Sequence, residues 1–267
     1  MVSAKDIVVK PIKASAANAL VKRVHYSGKV VNNSNLHFGA FLNGKLEGAM
    51  SFGSPMDKRK MLPLVEGTAW TGMLELNRMA FSDRLPRNSE SRCLAIAFKL
   101  IRKHYPHIDW VLSFSDGAQC GDGTIYRASG FVLTQIKENS SLYETPSGVP
   151  IANITWNSAT PEHRVKIAKK YGFEKYDASS FFSKTAKMNG MNSLTGYQLR
   201  YIYFLNKDAR QRLTVPVIPF SRIDEIGAGM YKGKPKRVTK ANSGDQSESG
   251  GAVPTDTLQS NGEADNA

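Results

Sequence analysis

Residues 73–134 read MLELNRMAFSDRLPRNSESRCLAIAFKLIRKHYPHIDWVLSFSDGAQCGDGTIYRASGFVLT, and the order of elements in this stretch decides the fold. Met73, Leu74, Leu76 and Met79 predict a strand. The chain then turns at Asp83, Pro86 and Asn88, and a helix starts near Ser89, because Ser, Asn and Asp accept hydrogen bonds from free helix-start N–H groups. Cys93, Ile96, Ala97, Leu100 and Ile101 recur at helical spacing and predict its apolar face. Trp110, Val111, Leu112 and Phe114 form a short, mostly apolar run, the pattern of a strand covered on both sides. A Gly-rich turn, a short helix and another strand follow. A strand that opens into a helix start aims bare N–H groups at whatever lies before them, which makes a site for an anion.

Upstream of this core, residues 6–12 alternate weakly as a first strand, and residues 14–24 predict a helix with Ala17, Leu20, Val21 and Val24 on one face. Gly28 stops it. Residues 36–42 and 46–52 flank Asn43-Gly44, a strong hairpin signal. Residues 53–72 read as a loop with a basic cluster at Lys58, Arg59 and Lys60. Downstream, residues 149–156 read as a strand, residues 161–171 as a helix and residues 197–205 as the final strand. Between them, residues 157–194 read as a helical insertion in which lysines and Arg164 alternate with aromatics. That mix suits either contact with phosphates and unstacked bases or a solvated basic surface packed by its rings.

The 267 residues carry 36 Lys and Arg against 23 Asp and Glu. Residues 232–240 hold five positive charges and residues 241–267 five negative ones, so the whole excess of thirteen lies in residues 1–231. A basic excess in the folded part suits a polyanion partner, because neutralising phosphates releases counterions. Residues 1–231 are expected to form one α/β domain, and residues 232–267, polar and Gly/Ser-rich, a disordered tail. No run approaches the length of a membrane span and the N-terminus lacks a signal-peptide pattern, so a cytoplasmic protein with no membrane partner is expected. The two cysteines make no disulfide framework, and Cys93 reads as a core residue.

Several residues have the chemistry for catalysis. His25 and Tyr26 close the first helix, where a His can exchange a proton near neutral pH or simply cap the helix dipole. Asp116 ends the buried strand, the place where ligands gather in α/β sheets, and it can equally form a turn with Gly117. Tyr126 lies on the short helix after that turn, as a half-buried aromatic or a proton donor. Arg78 sits in the strand at 73–81, where a charge needs a partner. Glu75, next to Leu76, is expected on the opposite face.

The order of elements in residues 73–134 resembles the cofactor-binding half of the GNAT acyltransferases, and Tyr126 to Phe131 is similar to the closing element of that family. The resemblance implies that the turn at residues 87–92 holds the pyrophosphate of acetyl-CoA, with Arg78, Arg87, Ser89, Ser91 and Arg92 as cofactor-binding residues. The family's turn carries two glycines and this one has none, so the backbone approaches a phosphate less freely. His25-Tyr26-Ser27-Gly28, Leu76-Asn77-Arg78-Met79-Ala80, Ser113-Phe114-Ser115-Asp116-Gly117, Tyr126 and residues 213–220 together resemble the phage Mom proteins, across roughly residues 5–231. That resemblance implies an enzyme converting adenine in double-stranded DNA to N6-methylcarbamoyl-adenine and shielding phage DNA from host restriction. It also implies catalytic roles for His25, Tyr26, Asp116 and Tyr126, and an iron site at Tyr26 and Asp116. The methylcarbamoyl product has a nitrogen between carbonyl and methyl that plain acetyl transfer does not supply, and a redox-active metal is one route to it. An ordinary acetyltransferase and a non-catalytic DNA-binding protein are the alternatives. The oligomeric state, homodimer or otherwise, is left open.

Overall fold

The computed structural model describes residues 3–117, 121–231 and 234–235; Cys120 and almost all of the segment expected to be disordered lie outside them. In chain order the elements are β1 (Val8–Pro11), α1 (Ala14–Val24), β2 (Ser34–Leu42), β3 (Lys45–Gly53), α2 (Lys58–Met61), β4 (Met73–Phe81), α3 (Ser89–His104), β5 (Trp110–Asp116), α4 (Thr124–Ala128) and β6 (Val132–Glu138). There follow β7 (Leu142–Tyr143), β8 (Ile151–Ala152), α5 (Asn153–Asn157), α6 (Pro161–Tyr171), α7 (Phe182–Met188), β9 (Tyr197–Phe204), α8 (Ser221–Glu225), β10 (Met230–Tyr231) and β11 (Lys234–Pro235).

Seven strands form one mixed sheet in the order β1-β2-β3-β4-β5-β9-β6. The hairpin between β2 and β3 closes with both Asn43 (φ 50°) and Gly44 (φ 77°) left-handed, the geometry whose twist matches the flanking strands. All pairings are antiparallel except β4 with β5, which run parallel and pair only at Met73–Trp110, Leu74–Val111 and Glu75–Leu112. Beyond Glu75 the two strands part. That divergence opens the sheet at its centre.

Packing on the sheet follows the sequence with two adjustments. On α3 the buried stripe is Cys93, Leu94, Ala97, Phe98 and Ile101, with Ile96 and Leu100 only half-buried, so the helix is rotated from the expected face. The cause is Phe98, whose ring stacks on Tyr203 at 4.1 Å and meets Phe52 and Phe131, drawing its side of the helix inward. The second adjustment is at residues 149–156. Only Ile151–Ala152 are extended, and a helix begins at Asn153. Ile151 and Trp156 are both fully buried in one cluster with Phe173 and Phe182. In a strand, residues five apart face opposite sides; a helical turn brings both side chains inward.

That cluster packs β8, α5, α6 and α7 around Trp156, whose Nε1 donates to the Ser180 carbonyl at 2.9 Å. Thr160 caps α6 and Gly172, at φ 72°, ends it. Arg164 is turned inward and donates to the carbonyls of Trp156, Asn157, Ala178 and Ser180. Lys166, Lys169, Lys170, Lys184 and Lys187 remain exposed. No helix among the described residues is long and apolar enough to cross a membrane.

Candidate active site

The gap between β4 and β5 is the floor of a cleft of about 780 Å³. His25 and Tyr26, from the end of α1, form one wall; Asp116 closes β5; Asp122 precedes α4 and Tyr126 lies on it; Glu75 and Arg78 come from β4. Five of the residues expected at a site, His25, Tyr26, Arg78, Asp116 and Tyr126, thus share one cavity although they come from four elements.

A slip in β4 sets the chemistry of the floor. Ser51 of β3 pairs with Arg78 and Phe52 with Leu76, so Asn77 is passed over. Leu74 and Leu76 face the core under α3 before the slip, and Met79 and Phe81 face it afterwards. The opposite face therefore carries Glu75 and Arg78 together, against the expectation from simple alternation. Arg78 donates from Nε to the Lys29 carbonyl at 2.9 Å and from Nη1 to the Asn77 carbonyl at 2.7 Å. Its hydrogen bonds fix the guanidinium between the turn after α1 and the slip. Burial pushes the Glu75 carboxyl up to about 7, against the pull of the Asn77 side-chain hydrogen bond and the Arg78 charge.

His25 is held in one state. Burial, and then the nearby Arg78 charge, lower it to about 4, so the ring is neutral at pH 7. The Ser27 backbone N–H donates to Nδ1 at 3.2 Å, and the Ser27 hydroxyl lies 2.9 Å from the same atom. A backbone N–H only donates, so Nδ1 is bare and the proton sits on Nε2. The ring lies 4.2 Å from that of Tyr26, tilted by 32°, and Tyr26 is half exposed. On the far side, Tyr126 lies 5.1 Å from the rings of both Tyr201 and Phe131. Tyr201 donates to the Asp122 carbonyl. Gly123, at φ 78°, has room for no Cβ, which would fall 2.6 Å from the Tyr201 ring. Asn139 Nδ2 donates to Asp116 at 3.5 Å.

The expected cofactor turn lies outside this cavity's lining. Asn88 adopts φ 68°, supplying the left-handed residue that a glycine would otherwise give. Ser89 is fully buried with its hydroxyl on the Pro86 carbonyl, and Ser91 donates to the Asn88 carbonyl at 3.3 Å. Arg92 donates to the carbonyls of Ala4 and Lys5, tying down the N-terminal turn, and Arg87 is exposed. Cys93 is buried and its thiol pushed up to about 12, consistent with a core role.

An iron held by protein needs three or so grouped ligands. Among the described residues no three of His, Cys, Asp and Glu come together to hold a metal. Tyr26 and Asp116 line one cleft, and His25 has its bare Nδ1 taken up by Ser27 and its proton on Nε2. This donor set does not fit a protein-held iron. Glu75 is the residue that sequence reasoning misplaced. Its signal was a carboxylate inside an apolar strand.

A mixed sheet whose central parallel strands part over a cleft lined by His25, Glu75, Arg78, Asp116 and Tyr126 defines a GNAT-like fold. Residues 6–222 match the model of the Mom protein family. The chain is 37% identical, over 210 residues covering 78% of it and 80% of the relative, to methylcarbamoylase mom of Escherichia phage Mu. The chain belongs to the Mom protein family. Among solved structures it is similar to FeeM, an N-acyl amino acid synthase from uncultured soil microbes, at 15% identity, TM-score 0.40, covering 78% of this chain and 95% of that one. It is also similar to a GNAT family acetyltransferase from Elizabethkingia anophelis with acetyl-CoA bound, at 12% identity, TM-score 0.36, covering 74% and 98%.

Proposed function

We propose that this protein modifies the N6 amine of adenine in double-stranded DNA with a methylcarbamoyl group whose carbons come from acetyl-CoA, CoA leaving as the thiol, and whose inserted nitrogen comes from an amine-level co-substrate together with a two-electron oxidant, and so shields phage DNA from host restriction. The observation that carries the reading is the single cleft that gathers Glu75, His25, Arg78, Asp116 and Tyr126, in a chain of the Mom family. Adenine N6 is a poor nucleophile because its lone pair is delocalised into the ring, so a base must take its proton as the new bond forms. Glu75, balanced near 7, is matched to that task. His25 is not, since its bare nitrogen is taken up by Ser27; its Nε2–H instead suits an oxygen gaining negative charge. Tyr126 supplies the proton to the departing CoA thiolate. Arg87 and the first N–H groups of α3 take the cofactor's phosphates. Tyr26 and Asp116 position the acceptor. The positive excess of residues 1–231 holds the duplex.

Expression in a bacterium followed by mass spectrometry of its digested DNA tests this. A gain of one methylcarbamoyl group on deoxyadenosine is expected, and Tyr26→Phe or Asp116→Ala should abolish it with the fold intact. Acetylated protein without modified DNA would instead mark an ordinary acetyltransferase. DNA binding with no modified nucleoside would mark a binding protein.

A further inference from the structure

Where the chain leaves β3, residues 54–57 run along the mouth of the cleft. Met56 lines that mouth and is 88% exposed, more than any other large apolar side chain among the described residues. One exposed apolar side chain is ordinary on a protein surface. Two observations set this one apart. Its loop is pinned: a Cβ on Gly53 would fall 2.0 Å from the Asn33 carbonyl, and Asn33 Nδ2 donates to the Ser54 carbonyl. Asp57 then caps α2 through the Lys60 N–H, so both ends of the loop are held. Cations also follow at once. Lys58 lies 5.0 Å over the ring of Trp70, itself 58% exposed, and Arg59 is at the surface.

A base deep in a duplex cannot reach an enclosed site; it must swing out of the stack, and its place is left void. Apolar side chains that enter DNA between bases fill such gaps and offset the lost stacking. Methionine is unbranched and its polarizable sulfur makes favourable contacts with aromatic rings. We propose that Met56 enters the base stack of double-stranded DNA as the adenine leaves it, while Lys58 and Arg59 hold the flanking phosphates. The inference rests on the reading of the cleft as an adenine site, and it adds how the adenine is delivered.

The test compares kcat/KM on two DNA duplexes, one with paired target adenines and one with the same adenines placed opposite abasic sites, using wild type, Met56→Ala and Met56→Leu. Met56→Ala should lose about tenfold or more on the paired duplex and far less on the unpaired one. Met56→Leu should restore most of the loss. Equal losses on the two duplexes, or no loss on the paired one, would overturn the role of Met56 while leaving the adenine reading standing. A wild type that modifies neither duplex would sink the adenine reading, and this inference with it.

Discussion

Glu75 and Arg78 stand three residues apart on β4 and face the same cleft, because the pairing with β3 passes over Asn77. An unbroken strand would send them to opposite sides. The slip puts a carboxylate near neutrality beside a fixed guanidinium, at the point where β4 leaves β5. It therefore controls both the charge and the opening of the cleft.

If Glu75 is the base, the rate should rise with pH and level off above about 7, as the carboxyl is ionised. Glu75→Gln should remove that rise and lower kcat by about 10²–10⁴-fold. Its effect on stability has the opposite sign. The folded carboxyl titrates near 7 against 4.5 in the unfolded chain, so folding takes up a proton between those values and stability falls as pH rises through them. The Gln variant avoids the buried charge. It should melt above wild type at about pH 8 and level with it at about pH 4.

His25 gives a second pH signature. The folded ring titrates near 4 against 6.5 unfolded, so the unfolded chain gains a proton that the fold refuses, and stability falls as pH drops from 6.5 toward 4. His25→Asn should lose this component. The melting temperature of wild type minus that of the variant should shrink as the solution is acidified, with each kcal/mol appearing as about 2–4 °C. A difference that stays constant across that range would contradict the neutral His25.

Gly123 and Gly148 share a left-handed backbone, at φ 78° and 73°, but only Gly123 faces a ring. Alanine at either position strains φ; at Gly123 it also strikes Tyr201. Urea unfolding should show Gly123→Ala about 1–3 kcal/mol less stable than Gly148→Ala, the usual range for overpacking. Tyr126 packs on Tyr201, so the first variant should also lose activity that the second keeps.

Arg164 looks like a surface cation in the sequence and acts as an internal tie. Arg164→Met keeps the stem and removes the donors to four carbonyls. About 2–3 kcal/mol should be lost, with faster hydrogen exchange around Trp156. Lys166→Met, on the exposed side of the same helix, should stay within about 0.5 kcal/mol of wild type.

What the sequence determined by itself was everything carried by neighbours along the chain. The helix at Ala14–Val24, the Asn43-Gly44 turn, the buried strand starting at Trp110 and the helix Pro161–Tyr171 rest on periodicity, caps and turn residues, all local signals. The gathering of His25, Arg78, Asp116 and Tyr126 was legible too, but only through family resemblance. Tertiary structure alone decided the side on which Glu75 lies, the helical turn that buries Trp156 and the inward path of Arg164. Each of these depends on a partner distant in sequence: the β3 register, the Phe173 and Phe182 rings, and the carbonyls around residues 178–180. A local pattern states which faces a segment has; only the register of its neighbours fixes which way each face points.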